Sequence, residues 1–216
     1  MSTVIAVTGR KGGIGKTSIT AHLAGEFSTM KLSVRVLDTD PQQSLLHWAT
    51  AGQGLMRPIT RAVATTEPEA FRLAVEQARS EARVVLIDTP PGLADPALLA
   101  ALLADILLLP VGPSPLDILA LRDALDLARE AQRERGQAGR PRLFFIPSKV
   151  VARTNLSADL PEALAAFGES QLPAIGLRTA VAESALLGLT LAEYAKSSQA
   201  RSEFTSLAKA LLELIP

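Results

Sequence analysis

The sequence predicts an α/β domain: a doubly wound, mostly parallel sheet with helices on both faces. Three observations predict it. Short apolar runs alternate with helical stretches along the whole chain, the order that puts crossover helices between parallel strands. The runs at 84–87 and 106–109 are continuously apolar, as strands buried on both faces must be. Several runs end in polar or Pro/Gly-rich loops, where open parallel sheets hold ligands.

The elements follow in order. Val4-Ile5-Ala6-Val7 is the first strand and 16–29 the first helix. The second strand, 33–37, closes at Asp38-Thr39-Asp40-Pro41. A helix is expected over 42–51 and a short edge strand over 59–64. The segment 68–79 opens with proline and repeats apolar residues at helical spacing: Phe71, Ala74, Val75 and Ala78. The strand at 84–87 ends at Asp88-Thr89-Pro90-Pro91-Gly92. A short helix over 95–104 precedes the strand at 106–109, and a long helix with a charged outer face covers 116–135. A loop at 136–141 leads to a strand at 143–146 and a helix at 156–167. A last short strand at 175–177 is followed by helices near 180–187 and 201–215. No repeat or linker divides the chain, so residues 1–216 are expected to form one domain.

Composition narrows the chemistry. Hydrophobic residues make up 48% of the 216, ample for a core. Lys plus Arg (22) equals Asp plus Glu (22), so any contact with nucleic acid must come from a local patch. There is no cysteine, which excludes disulfides, cysteine-held zinc, Fe–S clusters and thiol nucleophiles. The N-terminus reads directly into a strand, so no signal peptide is expected. No apolar stretch suits a bilayer span, and a cytoplasmic protein is the expectation.

The stretch that organises the rest is Thr8-Gly9-Arg10-Lys11-Gly12-Gly13-Ile14-Gly15-Lys16-Thr17, followed by Ser18. Strand, glycine loop, Gly-Lys-Thr and helix together build a phosphate cradle. Glycines let backbone N–H groups turn onto phosphate oxygens, and the new helix directs its positive end there. Lys16 would reach the β- and γ-phosphates and Thr17 would hold Mg²⁺. The general pattern G-x-x-x-x-G-K-[ST] is broken at its first position by Arg10, and the loop carries a second lysine, Lys11. Downstream, Asp88 closes an apolar strand, which places a carboxylate to hold Mg²⁺ opposite Thr17. Asp38 and Asp40 form a second carboxylate pair; one can sit near the metal and the other can orient the attacking water.

Lys11–Thr17, Val-Leu-Asp-Thr-Asp-Pro-Gln-Gln at 36–43 and Leu-Ile-Asp-Thr-Pro-Pro-Gly at 86–92 together resemble the nucleotide motifs of the ParA/MinD family of deviant Walker ATPases. The resemblance covers nearly the whole chain and is strongest to small ParA-type (ParF-like) partition ATPases, which lack the N-terminal DNA-binding extension of longer members. It implies a P-loop fold with a deviant Walker A loop, ATP and Mg²⁺ as ligands, and slow, partner-stimulated hydrolysis. Lys11, Lys16 and Asp40 take the catalytic roles, Lys11 by reaching across a dimer interface to the partner's nucleotide. Lys11, Gly12, Gly13, Ile14, Gly15, Lys16, Thr17 and Ser18 hold phosphate, Arg178 lies near the base, and Thr17, Asp38 and Asp88 surround the metal. The asparagine that many relatives place after the sixth strand is missing at 147–149.

The resemblance further implies an ATP-dependent homodimer, non-specific DNA binding on the nucleoid, and a cargo adaptor or ParB-like activator. Basic candidates for DNA are Arg140, Arg142, Lys149, Arg153, Arg178, Lys196, Arg201 and Lys209. Two alternatives stand beside it. A MinD-like membrane helix could use the stripe Phe204, Leu207, Ala208, Leu211, Leu212 and Ile215, but Lys209 is its only lysine. Docking of that helix onto the sheet is expected instead, with no stable membrane association. A metabolic enzyme of the dethiobiotin-synthetase type would have no need of Lys11.

Overall fold

The computed structural model describes residues 1–92, 94–136 and 140–216, so the loop expected at 136–141 lies partly outside the described residues. The chain runs β1 (Thr3–Val7), α1 (Lys16–Thr29), β2 (Val34–Asp38), α2 (Ser44–Ala51), β3 (Thr60–Ala62), α3 (Pro68–Glu81), β4 (Val84–Asp88), α4 (Ala94–Leu103) and β5 (Ile106–Val111). It continues through α5 (Pro115–Arg135), β6 (Arg142–Val150), α6 (Asn155–Ala165), β7 (Ser170–Gln171), β8 (Ile175–Gly176), α7 (Thr179–Leu186), α8 (Leu191–Tyr194) and α9 (Gln199–Leu212). The strand order is β3-β2-β4-β1-β5-β6-β7, with β8 also on β6. All of these pairings are parallel.

Alternation along each strand feeds two cores. Ile5, Val36, Leu86 and Leu108 face one layer of helices, with Phe27 and Phe204. Val4, Leu37, Ile87 and Leu109 face the other, with Phe71, Leu125 and Phe145. Each large side chain fully buried in this way contributes roughly 1.5–3 kcal/mol. This two-sided burial is why the central strands read as unbroken apolar runs.

Register brings the motifs together. Val7 pairs with Asp88, and Asp88 pairs with Asp38. The glycine loop and both acidic strand ends therefore lie at one level on the carboxyl edge. The order changes direction around β1, whose neighbours are β4 and β5, and a crevice opens at such a switch point.

Four elements differ from expectation. β5 continues through Pro110, because its pairing with β1 stops at Leu108 and a proline there loses no ladder bond on that side. β6 is longer than expected and includes Pro147, which falls between the residues paired with β7 and those paired with β8. β7 is two polar residues with no apolar run to announce it, and α8 is a four-residue turn closed by a Thr190/Glu193 capping box. The C-terminal helix α9 packs its apolar stripe inward: Phe204, Leu207, Ala208 and Leu211 are buried, mainly against α1 and β8.

Candidate phosphate-binding site

The loop between β1 and α1 is shaped by glycines. Gly13 (φ 76°) and Gly15 (φ 99°) take left-handed conformations that L side chains adopt only at a cost. Gly15 is also the N-cap of α1, whose first amides have no side-chain cap and so face the cleft. Ile14 is buried and packs over Gly9, where a Cβ would collide with it. The carbonyl of Ile14 accepts a hydrogen bond from the buried Ser148 hydroxyl at 2.9 Å, which ties the loop to the end of β6.

The resulting cleft has a volume of about 320 Å³ and is lined by Lys16, Thr17, Ser18, Asp40 and Lys149 among others. Lys16 is 5% exposed and its Nζ lies 3.3 Å from the carbonyl of Lys11. Burial lowers the Lys16 pKa, while Asp88 and Asp40 oppose the shift. Lys16 is therefore a cation held in a poorly solvated place, suited to an anionic ligand.

Thr17 donates its hydroxyl to Asp88 Oδ2 at 2.7 Å. Asp88 is fully buried, and burial pushes its carboxyl up to about 7; the bond from Thr17 works against this and the neighbouring Asp38 adds to it. A hydroxyl and a carboxylate side by side are hard oxygen donors, the set that suits Mg²⁺ when phosphate oxygens and water complete the shell. Among the described residues no cluster of three His, Cys, Asp or Glu forms a self-sufficient metal site.

The acidic pair of β2 divides its work. Asp38 accepts from the backbone N–H of Asp40 at 3.1 Å and of Leu46 at 2.9 Å, one on each carboxylate oxygen. Burial raises its pKa and those backbone bonds lower it. Asp38 thus lies beside Asp88 but spends both oxygens on fixing the start of α2. Asp40 is less buried, lines the cleft, and accepts from Gln42 N–H at 2.9 Å.

Lys11 does not line the cleft. Its ammonium turns to the first turn of α5, where Nζ lies 2.5 Å from Asp117 Oδ1. Gly112 makes room for that carboxylate, since a Cβ there would run into Asp117. Arg10 points the same way and pairs with Asp123 of α5 at 3.0 Å. Asp117 and Gly112 carry no role in the sequence reading, since an acid in the first turn of a helix looks like an ordinary dipole partner; Ser148 belongs to the strand end 147–149, where the resemblance places the base.

Arg178 borders a smaller apolar notch with Ile175, Leu177 and Val181, next to Gly15 and Ser18. Its guanidinium is held by Glu203 at 2.6 Å. Two further basic candidates for nucleic acid are occupied within the fold. Arg201 pairs with the buried Glu26 at 2.9 Å, and Arg140 pairs with Asp105 at 2.8 Å. Lys149, Arg153, Lys196 and Lys209 are exposed.

Comparison with known proteins agrees with this fold. Residues 5–191 match the CobQ/CobB/MinD/ParA nucleotide binding domain. The maintenance of carboxysome distribution protein A of Gloeobacter kilaueensis is 36% identical over 127 residues, covering 58% of this chain and 56% of that protein. A Protein ParA of Rhizobium radiobacter is 32% identical over 130 residues, covering 60% of this chain and 57% of the relative. These alignments span less than two thirds of the relatives' own length. The septum site-determining protein MinD of Pyrococcus horikoshii, solved with Mg-ADP, superposes with a TM-score of 0.76 at 20% identity, covering 99% of this chain and 97% of that one.

Proposed function

This chain belongs to the CobQ/CobB/MinD/ParA nucleotide-binding family, and from that premise we propose that it is an ATPase that works as a dimerisation switch to position a cargo. The observation that carries the proposal is the divergence of two lysines from one loop. Lys16 lies in its own cleft, whereas Lys11 is held outside it by Asp117. A lysine that leaves its own cleft vacant can serve the nucleotide of a second copy, so that the site is complete only in a dimer.

Backbone amides of the loop and Lys16 bind the polyphosphate. Mg²⁺ would be held by Thr17 and Asp88, where it supplies charge neutralisation on the phosphates. Asp40 orients the attacking water, and Asp38 fixes Asp40 and α2 from behind. The partner's Lys11 adds positive charge as the transition state forms. Hydrolysis removes the γ-phosphate that the second lysine grips, and the dimer separates.

The ATP-bound dimer attaches to non-specific DNA on the nucleoid and an activator protein triggers release. The exposed Arg153, Lys196 and Lys209 supply phosphate contacts. A membrane surface is the weaker choice because the apolar stripe of α9 is spent on α1. The relatives' names include carboxysome distribution and a ParA protein, which supports a positioning role without choosing the cargo. The test is co-sedimentation with DNA, comparing ATP with ADP for the native protein and Lys11→Ala. ATP-dependent binding lost in the variant supports the proposal; equal binding under all conditions overturns it.

A further inference from the structure

β6 and β8 are out of step by one residue. Ser148 pairs with Ile175 and Val150 with Gly176, which leaves Lys149 as an extra residue between two paired ones. Its φ is 55°, in the left-handed region. A long L side chain persists there only when its surroundings over-determine it, and such strain gathers at ligand sites. Glycine or asparagine would hold this backbone more easily. A bulge of this kind re-aims a side chain. Here the re-aimed chain lines both the phosphate cleft and the apolar notch.

The two cavities share three residues: Gly15, Ser18 and Lys149. Gly15 and Ser18 belong to the loop and the first turn of α1, so among the described residues Lys149 is the one cation that lines both cavities. The neighbouring cations are already committed, Lys11 to Asp117 and Arg178 to Glu203. Among the described residues no salt bridge involves Lys149. The adjacent Ser148 hydroxyl anchors the bulge to the Ile14 carbonyl. The loop and the bulge therefore hold one another in place.

We propose that Lys149 is a nucleotide-binding residue at the waist of the ligand, where sugar and α-phosphate pass from notch to cleft. Its ammonium meets an α-phosphate oxygen, and its aliphatic stem lies along the sugar. The inference rests on reading the cleft as a nucleotide site. It assigns Lys149 to the part of the ligand that ATP and ADP share. Lys149 thus governs how tightly nucleotide is retained, whereas Lys11 governs whether the γ-phosphate is sensed.

The test measures ADP and ATP affinity by calorimetry for the native protein and for Lys149→Ala, Lys149→Gly and Lys149→Arg, with melting temperatures alongside. Removing a charge-assisted contact predicts about a tenfold loss in both Ala and Gly variants, equal for ADP and ATP and expressed in KM rather than kcat. Lys149→Arg retains most of the affinity. Lys149→Gly melts above Lys149→Ala, because glycine takes the left-handed φ without strain. Native affinity in Lys149→Gly, or a loss confined to ATP, overturns the assignment and leaves the cleft a nucleotide site. A native protein that binds neither nucleotide overturns both readings.

Discussion

Lys11 and Asp117 lie 2.5 Å apart through Nζ and Oδ1, although 106 residues separate them. The pair joins the phosphate loop to the first turn of α5 and holds the lysine away from its own cleft. A lysine so held must leave Asp117 before it serves a second subunit. If Lys11 serves a second subunit, as proposed above, the pair acts as a tax on dimerisation. Asp117→Asn removes the tax. The variant is expected to dimerise with ATP at severalfold lower protein concentration, measured by sedimentation across a dilution series. An unchanged midpoint would show the contact to be incidental.

Asp88 predicts a pH dependence in two opposite directions. Its folded carboxyl lies at about 7, above its ordinary value of 3.8. The fold thus favours the protonated form. The stability this provides is present at low pH and is lost as pH rises from about 4 to about 7. Mg²⁺ requires the carboxylate, so Mg·ADP affinity rises over the same window and binding releases a proton near pH 7. Calorimetry in buffers of different ionisation heat should detect that proton in the native protein and not in Asp88→Asn.

The two acids of β2 should separate in mutagenesis. Asp40→Ala is expected to lose most hydrolysis while retaining ATP and the dimer, because Asp40 borders the cleft without holding other structure in place beyond its own turn. Asp38→Ala frees the backbone N–H groups of Asp40 and Leu46. It should cost about 2–3 kcal/mol of stability in urea unfolding. Equal stability of the two variants would remove the anchoring role assigned to Asp38.

His22 of α1 predicts acid sensitivity. It is 1% exposed, packed against Trp48 and Phe204, and its Nδ1 accepts from Leu191 N–H at 3.2 Å. Burial lowers its pKa to about 3 from 6.5. The unfolded chain therefore takes up a proton that the fold refuses. Stability from this residue is complete above pH 6.5 and falls toward pH 3, by up to about 1.4 kcal/mol per pH unit. His22→Phe should flatten that slope in unfolding titrations between pH 7 and 4. Parallel slopes would place the acid sensitivity elsewhere.

The fold class and the phosphate loop were legible because each rests on a local signal. Apolar runs at 84–87 and 106–109 are the direct imprint of two-sided burial, and the Gly13 and Gly15 turns are the imprint of left-handed backbone. What escaped the sequence depends on register and long-range pairing. Asp117 looks like any first-turn acid until Gly112 and Lys11 meet it. Lys149 reads as part of the strand end near the base and as a basic candidate for DNA, and only the one-residue slip against β8 shows that it also lines the phosphate cleft. The ion pairs of Arg178 with Glu203 and of Arg201 with Glu26 likewise join residues 25 and 175 positions apart, beyond the reach of local pattern. The α8 turn could have been read, since Thr190 and Glu193 spell a capping box.

Lys11 is expected to complete a second subunit's site only when ATP is bound. Light scattering on the eluting protein, with a non-hydrolysable ATP analogue or ADP, tests it most directly. The native 22.8 kDa chain is expected to elute as a monomer with ADP and at twice that mass with the analogue. Lys11→Ala should remain monomeric with both while keeping its affinity for ADP. A dimer of Lys11→Ala with the analogue, or one native mass under both nucleotides, would contradict the account.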